Sequence, residues 1–434
     1  MNKWEKITFD DQWKIAYIAH ESVDTRPVPK TVAELSSYGE GQMSAQVPIE
    51  FALALEENGI VPEIYKDQNV LQLQKYESYH AFYGCSFSYQ KKEGYIPELV
   101  FEGLDTVSEI WLNGQLLGKT ENMFISHIFQ PNNLVEGENE LVLHFLPVTM
   151  EARKYEVKAG NTHMPYNFDS LHIRKAPHSY GWDIMPRIVT CGVFRPVYLQ
   201  YRPVESIKQA YLMTVSADKK GKKASLLFFY ELDIKAADLS SYTIELEGIC
   251  GDSRFFAKKQ LWSVAGEIFL EGLQDIKLWQ PKGSGTPYLY DVCVTLKKDN
   301  AVLDRKQFRT GIRTVALERT SLTDMEMSGK FQFEVNGEKV FILGTNFVPM
   351  DAFHSRDRQR LPKACELLED IGCNAIRLWG GNVYEDDYLY DFCDEHGILI
   401  WQDFMMACGL YPQGQRMQEM LYAEATAVVR RLRQ

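Results

Sequence analysis

The sequence predicts a multidomain protein: a β-sandwich of the jelly-roll kind, then an immunoglobulin-like β-sandwich, then an incomplete (β/α)8 or TIM barrel. Three observations carry this. Up to about residue 316 the chain is a succession of short apolar runs separated by turn residues, with little helical periodicity. From about residue 317 strand-length runs alternate with stripes at helical spacing, the opening pattern of a (β/α)8 barrel. The length, 434 residues, is too great for one ordinary domain.

Residues 1–202 form the first expected unit. Glu109–Gly118 sets Asn113-Gly114 between two apolar arms, a strong hairpin signal because both turn positions need positive φ. Leu141–Leu146 reads as another strand. One segment does not read as core. His163–Arg187 gathers Tyr166, Arg174, Lys175, Tyr180, Trp182, Asp183 and Arg187 in a Pro-containing stretch without periodicity, and long structured loops are usually functional. A carboxylate beside an indole offers acceptors for vicinal hydroxyls and a flat face for the C–H side of a sugar. The same composition also suits an interdomain packing loop with an Arg–Asp pair.

Residues 203–316 form the second unit, with strands at Ser225–Phe229, Thr243–Glu247 and Tyr290–Leu296 and no evident chemistry. The turn-rich segment Leu278–Tyr290 reads as packing. Residues 317–434 form the third. Phe331–Gly344 is a hairpin around Asn336-Gly337 leading into an apolar run, Val340–Leu343, expected to be the first parallel strand. Arg358–Ile371 is its helix, capped by Gly372. Ala375–Trp379 is the second strand. Tyr384 to Cys393 carries the next helical stripe, ended by Gly397, and Ile398–Gln402 is the third strand. Such β-α-β units place the loops at the strand carboxyl ends on one side, so Trp379, Gly380, Asn382, Asp403 and Phe404 should share a rim. Trp401, inside a strand, reads as core. Arg416–Arg433 offers a third helix. Three units cannot close a barrel, so Ile342, Ile376, Leu378 and Leu399, expected to point inward, should lose packing partners.

The formal net charge of −12 leaves no basic face for nucleic acid. The N-terminus shows no apolar leader and no later run approaches a membrane span, so neither export nor membrane insertion is expected and a cytoplasmic location follows. The eight cysteines and nine histidines make no metal-ligand spacing, so no metal is expected, and the cysteines read as buried reduced thiols.

The chain resembles glycoside hydrolase family 2, and within it the β-mannosidase branch, over nearly its whole length. The motifs are Phe101–Thr106, Asn122-Met123-Phe124, Arg174-Lys175, Gly181-Trp182-Asp183, Phe308 and Gly311-Ile312-Arg313. The most specific are GTNFVPMDAF from Gly344, RLWGGNVYE from Arg377 and WQDFMMACGLYP from Trp401. Where the family commonly reads GWDWGPR this chain has GWDIMPR, and Phe347 stands where a tryptophan is usual. The resemblance implies a retaining exo-β-mannosidase acting on β-mannoside ends of oligosaccharides, with no cofactor. It also implies that no catalytic residue lies here: the acid/base and nucleophile glutamates, after the fourth and seventh barrel strands, are expected beyond the chain end. By the same resemblance Arg377 keeps the nucleophile ionised, Trp379 walls the sugar site, and Trp182 and Asp183 reach in from the jelly-roll. Asn346, Asp351 and Asp403 follow strands one and three as further substrate-binding residues. Other family 2 exo-glycosidases, for β-galactosides, β-glucuronides or glucosaminides, and a non-catalytic sugar-binding or structural product remain alternatives. Oligomeric state is not expressed in the sequence.

Overall fold

The computed structural model describes residues 4–9, 12–164, 167–321, 325 and 329–433; Tyr166 lies outside them. In the first unit a six-stranded antiparallel sheet runs in the order Gly41–Gln46, Gln12–Ala19, Tyr79–Tyr89, Gly137–Phe145, Ser108–Leu112, Gln115–Thr120. It packs on a four-stranded sheet of Lys6–Thr8, Val197–Pro203, Tyr95–Phe101 and His127–Phe129. Ile15, Tyr83 and Leu141 from one sheet meet Leu99, Phe101 and Leu199 from the other in a single core. Asn113 and Gly114 turn the hairpin at φ of 50° and 77°. The helical content is slightly more than the sequence suggests, with a helix at Phe51–Glu57 and a 3-10 stretch at Asn69–Ser78.

The face of the large sheet turned from that core carries a chain of imidazoles. His20 Nδ1 lies 2.9 Å from His80 Nε2, His80 Nδ1 lies 2.8 Å from His144 Nε2, and His144 Nδ1 lies 3.4 Å from Glu109 Oε2. Burial, then the flanking imidazoles, pulls His80 down to about 3, and the bond from His144 leads the causes that hold Glu109 at about 2. A histidine depressed in the fold is neutral there but protonated in the unfolded chain below about pH 6.5. Stability should therefore fall as pH drops from about 6.5 toward about 3. His80→Phe is expected to flatten this slope in thermal midpoints measured between about pH 7 and about pH 4; an unchanged slope would count against the imidazole chain as its source.

The second unit is a sandwich of two antiparallel sheets. One holds Ser206–Asp218, Lys223–Asp233 and Ala265–Leu273; the other holds Ser253–Gln260, Tyr242–Cys250, Tyr290–Lys298 and Ala301–Thr310. Trp279, in the turn-rich segment, is buried and its indole N–H donates to Asp394 O at 2.7 Å, which joins this unit to the next.

The third unit contains three parallel strands, β1 (Gly344–Phe347), β2 (Ala375–Leu378) and β3 (Leu399–Gln402), in that spatial order. Between and after them lie helices α1 (Asp357–Asp370), α2 (Asp387–His396) and α3 (Gln415–Leu432). Gly397 closes α2 in the left-handed region at φ 72°. The first strand is not Val340–Leu343. Val340 instead pairs antiparallel with Phe333 in the preceding hairpin, and Phe341, Ile342 and Leu343 cross, exposed, to β1. The inward assignments also change. Ile376 and Leu378 point at the helices, where they join Leu361, Leu368, Leu389 and Cys393 in a buried layer. The barrel-axis side carries Asn346, Arg377 and Trp401, which occupy one register across the sheet. Trp401 is 48% exposed and stacks on Phe331 at 6.0 Å, so it is not core. All eight cysteines are free, but Cys408 is exposed and Cys250 and Cys293 are half-buried. Among the described residues no helix is long and apolar enough to cross a membrane.

Candidate functional site

The carboxyl ends of β1, β2 and β3 converge on Arg377. Its guanidinium donates to Asp403 from Nε at 3.3 Å and from Nη2 at 2.6 Å, and from Nη1 to Asn346 Oδ1 at 3.2 Å. The Gly380 N–H also donates to Asp403, at 3.2 Å. One cation thus ties Asn346, within strand one, to Asp403, which follows strand three, and an alternation that buries Ile376 and Leu378 leaves Arg377 on the open side. Beside it Trp379 begins the tight turn Trp379–Asn382. Arg377, Trp379, Asp403, Phe404, Met406 and Cys408 line a cleft of about 460 Å³.

The jelly-roll reaches the edge of this cleft at Trp379. Trp182 and Met185 exchange backbone hydrogen bonds, Trp182 N to Met185 O at 3.0 Å and Met185 N to Trp182 O at 3.4 Å, with the exposed Asp183 in the turn between them. The Trp182 and Trp379 ring centres are 5.1 Å apart with planes inclined at 61°. An edge-to-face indole pair of this kind presents a continuous aromatic surface, built from two units far apart in sequence. His163 packs on Trp182 from the side, 5.8 Å between centres, and its strand Thr162–His163 pairs with Gly409–Leu410.

The loop also packs between domains, through Arg174, and onto its own domain, through Lys175 and Arg187. Arg174 is fully buried and donates to Glu424 of α3 from Nε and Nη2, each at 2.8 Å. Its Nη2 also reaches Met405 O at 2.8 Å, Lys175 binds Asp105, and Arg187 binds Glu77 at 2.6 Å. The packing reading therefore holds for Arg174, which fastens the jelly-roll to the barrel unit, while Lys175 and Arg187 tie the loop to its own domain and Trp182 reaches Trp379 at the rim.

The structure brings Trp182, Asn346, Arg377, Trp379 and Asp403 together, with Asp183 at the adjoining tip. Asp351 is not with them. It is 3% exposed, receives the Tyr65 hydroxyl and pairs with Arg360 at 2.7 Å, so it fastens the jelly-roll to the start of α1 and offers no open face to a ligand. Burial, and next the bond to Asp351, pushes the Tyr65 phenol up. Gly380 does line the cleft, through its backbone, whereas Asn382 is buried behind the rim. Sequence reasoning missed His163, Met406 and Cys408 on the site side and Glu424 and Glu385 beneath it. A glutamate within an otherwise apolar helical stripe is the signal that marks Glu424. Among the described residues no group of His, Cys, Asp and Glu could hold a metal.

Comparison with known proteins places this geometry. Residues 31–195 match the glycosyl hydrolase 2 galactose-binding domain-like model and residues 210–313 the glycosyl hydrolases family 2 model. The chain is 32% identical over 396 residues to β-mannosidase B of Thermothelomyces thermophilus, covering 90% of this chain and 46% of that protein. The chain belongs to glycoside hydrolase family 2. Goat β-mannosidase is 31% identical over 365 residues to this family 2 chain, covering 77% of it and 40% of the goat protein. The crystal structure of the β-D-mannosidase from Dictyoglomus thermophilum superposes with a TM-score of 0.83 at 29% identity, over 99% of the family 2 chain and 51% of the other. The family 2 chain thus spans about half the length of the relatives it matches, and its jelly-roll, immunoglobulin-like unit and partial barrel are the opening of that architecture.

Proposed function

We propose that this chain forms the sugar-recognition part of a retaining exo-β-mannosidase that releases terminal β-D-mannose. The observation that carries the proposal is the contact of Trp182 with Trp379 beside the Asn346–Arg377–Asp403 cluster. It sets an aromatic wall and a fan of hydrogen-bonding groups around one cleft, the combination a pyranose needs. In this reading Trp379 and Trp182 cover the apolar face of the sugar. Asp183 and Asn346 bind hydroxyls, and Arg377, oriented by Asp403, directs positive charge to where a nucleophilic carboxylate is held ionised. Asp351 is assigned no contact with substrate. A retaining reaction needs two carboxyl groups about 5 to 5.5 Å apart. The proposal assigns both to the portion of the relatives' length that this chain does not span. The reading requires no cofactor, and the free cysteines suit a reducing compartment such as the cytoplasm.

Two measurements test it. Protein of the relatives' full length should hydrolyse nitrophenyl β-mannoside in preference to the β-galactoside, β-glucuronide and β-glucosaminide, with the β-anomer as first product. Preference for another sugar, or an inverted anomer, would remove the mannosidase assignment. The 434-residue chain by itself is expected to give no turnover on nitrophenyl β-mannoside, because positioning without the acid and nucleophile leaves the two-step route closed. Turnover that persists through purification and is lost in Asp403→Ala would overturn this and make that carboxylate catalytic.

A further inference from the structure

Behind the rim, the turn that carries Trp379 rests on a buried polar cluster which the proposed function does not use. Asn382 N donates to Trp379 O at 3.3 Å, and Asn382 Nδ2 donates to Glu385 Oε1 at 2.6 Å. Asn382 and Glu385 are 3% and 1% exposed. The one side-chain oxygen of Asn382, Oδ1, and the second oxygen of Glu385, Oε2, are both buried and have no partner if Glu385 is counted as a carboxylate. Buried oxygens of that kind require an explanation, and a proton on Glu385 supplies one. An acid O–H turned to the carboxamide oxygen, with the carboxamide N–H donating back, would close an eight-membered acid–amide ring that leaves neither oxygen unpaired.

The surroundings favour that proton. Burial, and after it the Asp357 carboxylate, raises Glu385 to about 8. The charged and titratable groups around it come from every packed element. Asp357 and His354 face it from the start of α1 and Arg195 from the jelly-roll; Arg431 of α3 donates to its backbone oxygen, and Tyr390 faces it from α2, the helix that follows it. His354 is itself raised: burial opposes its charge, but Asp357, with which it bonds at 2.7 Å, Glu50 and Glu385 outweigh it. His178 is pulled down by burial and by His354, its Nε2 lies 2.8 Å from His354 Nε2, and its backbone N–H donates to Gly381 O at 3.1 Å.

The same turn seats the indole. A Cβ on Gly381 would stand 2.0 Å from the Trp379 ring and one on Gly380 2.5 Å from Phe404 O, so the ring lies flat on its own turn and follows any shift of it. The geometry points to Glu385 as a positioning residue of the sugar site: as the neutral acid, ring-paired with the Asn382 carboxamide, it fixes the Trp379–Asn382 turn and so holds Trp379 against Trp182. This rests on the reading of Trp379 as a wall of that site, but its test needs no sugar.

Two indoles 5.1 Å apart give an exciton couplet in the ultraviolet circular dichroism of the 434-residue chain, assigned by its loss in Trp182→Phe. Glu385→Gln, which can form the same ring as an amide pair, is expected to keep the full couplet at neutral pH. Asn382→Ala and Glu385→Ala should reduce it to less than about half; Asn382→Ala alone serves if Glu385→Ala does not fold. In the unsubstituted chain the couplet should decline between about pH 7 and about pH 9 as the ring loses its proton, and in Glu385→Gln it should stay level. Any of three results would overturn the assignment: a couplet unaffected by Asn382→Ala, a Glu385→Gln protein as depleted as Asn382→Ala, or no Trp182-dependent couplet at all. Failure of the mannoside assays leaves this measurement standing, so the two readings fail separately.

Discussion

Glu424→Ala is expected to destabilise the chain by roughly 3–5 kcal/mol, the range for removing one partner of a buried ion pair. Arg174 and Glu424 are each 1% exposed. Glu424 also accepts the Tyr384 hydroxyl at 2.8 Å and Asn122 Nδ2 at 3.3 Å. Truncation would strand an arginine, a phenol and an amide together in a site walled by Met123, Phe124, Met405 and Val428. The cost comes from the groups left behind, not from the strength of the pair. It follows that the double replacement Arg174→Met, Glu424→Leu should cost far less than either single truncation. A surface control is Lys363→Ala, whose pair with Glu366 is exposed on both sides and whose loss should leave the thermal midpoint nearly unchanged. Thermal midpoints of the four proteins decide the matter. A double replacement as damaging as Glu424→Ala would mean that specific polar contacts, and not unpaired charge, hold the jelly-roll to the barrel unit.

The contrast between that pair and the elements around it shows what was legible in the sequence. Local devices were. Asn113-Gly114 and Asn336-Gly337 turn their hairpins at positive φ, and Gly397 ends its helix in the left-handed region, because such choices depend on a few consecutive residues. The alternation of strand and helix after residue 340, and the family motifs at Arg377 and Trp401, also carried through. What failed was direction. Val340–Leu343 is the more apolar run, yet the strand is Gly344–Phe347, because a barrel strand shows one face to the helices and the other to the axis and needs apolar residues mainly on the first. The same error placed Ile376 and Leu378 inward and Trp401 in the core. Partnerships across long separations were not legible either. Nothing near Asp351 announces Tyr65, 286 positions away, and nothing near Arg174 announces Glu424, 250 positions away; both depend on how whole domains dock.

In protein of the relatives' full length, Asp183→Ala is expected to lower kcat/KM for β-mannosides on the order of 100-fold, about 2.7 kcal/mol of transition-state stabilisation. Asp183 is exposed at the tip of a turn whose ends, Trp182 and Met185, are fixed by their own backbone bonds. The substitution therefore leaves the turn and the Trp182–Trp379 contact in place, and the thermal midpoint should not move. What is lost, on the proposed reading, is a carboxylate that accepts from sugar hydroxyls, and bonds to hydroxyls of the ring strengthen as the oxocarbenium-like transition state develops. Because the gain belongs to the transition state, the loss should appear in kcat as well as in kcat/KM, whereas a carboxylate that merely holds the ground state would raise KM alone. Trp182→Ala should act differently. It removes an aromatic wall that touches substrate and transition state alike, so its main effect falls on KM. If Asp183→Ala leaves both constants unchanged, the tip of this loop has no part in sugar recognition, and the function of the 163–187 segment is confined to the Arg174 contacts that fasten the jelly-roll to the barrel unit and the Lys175 and Arg187 pairs that hold the loop on its own domain.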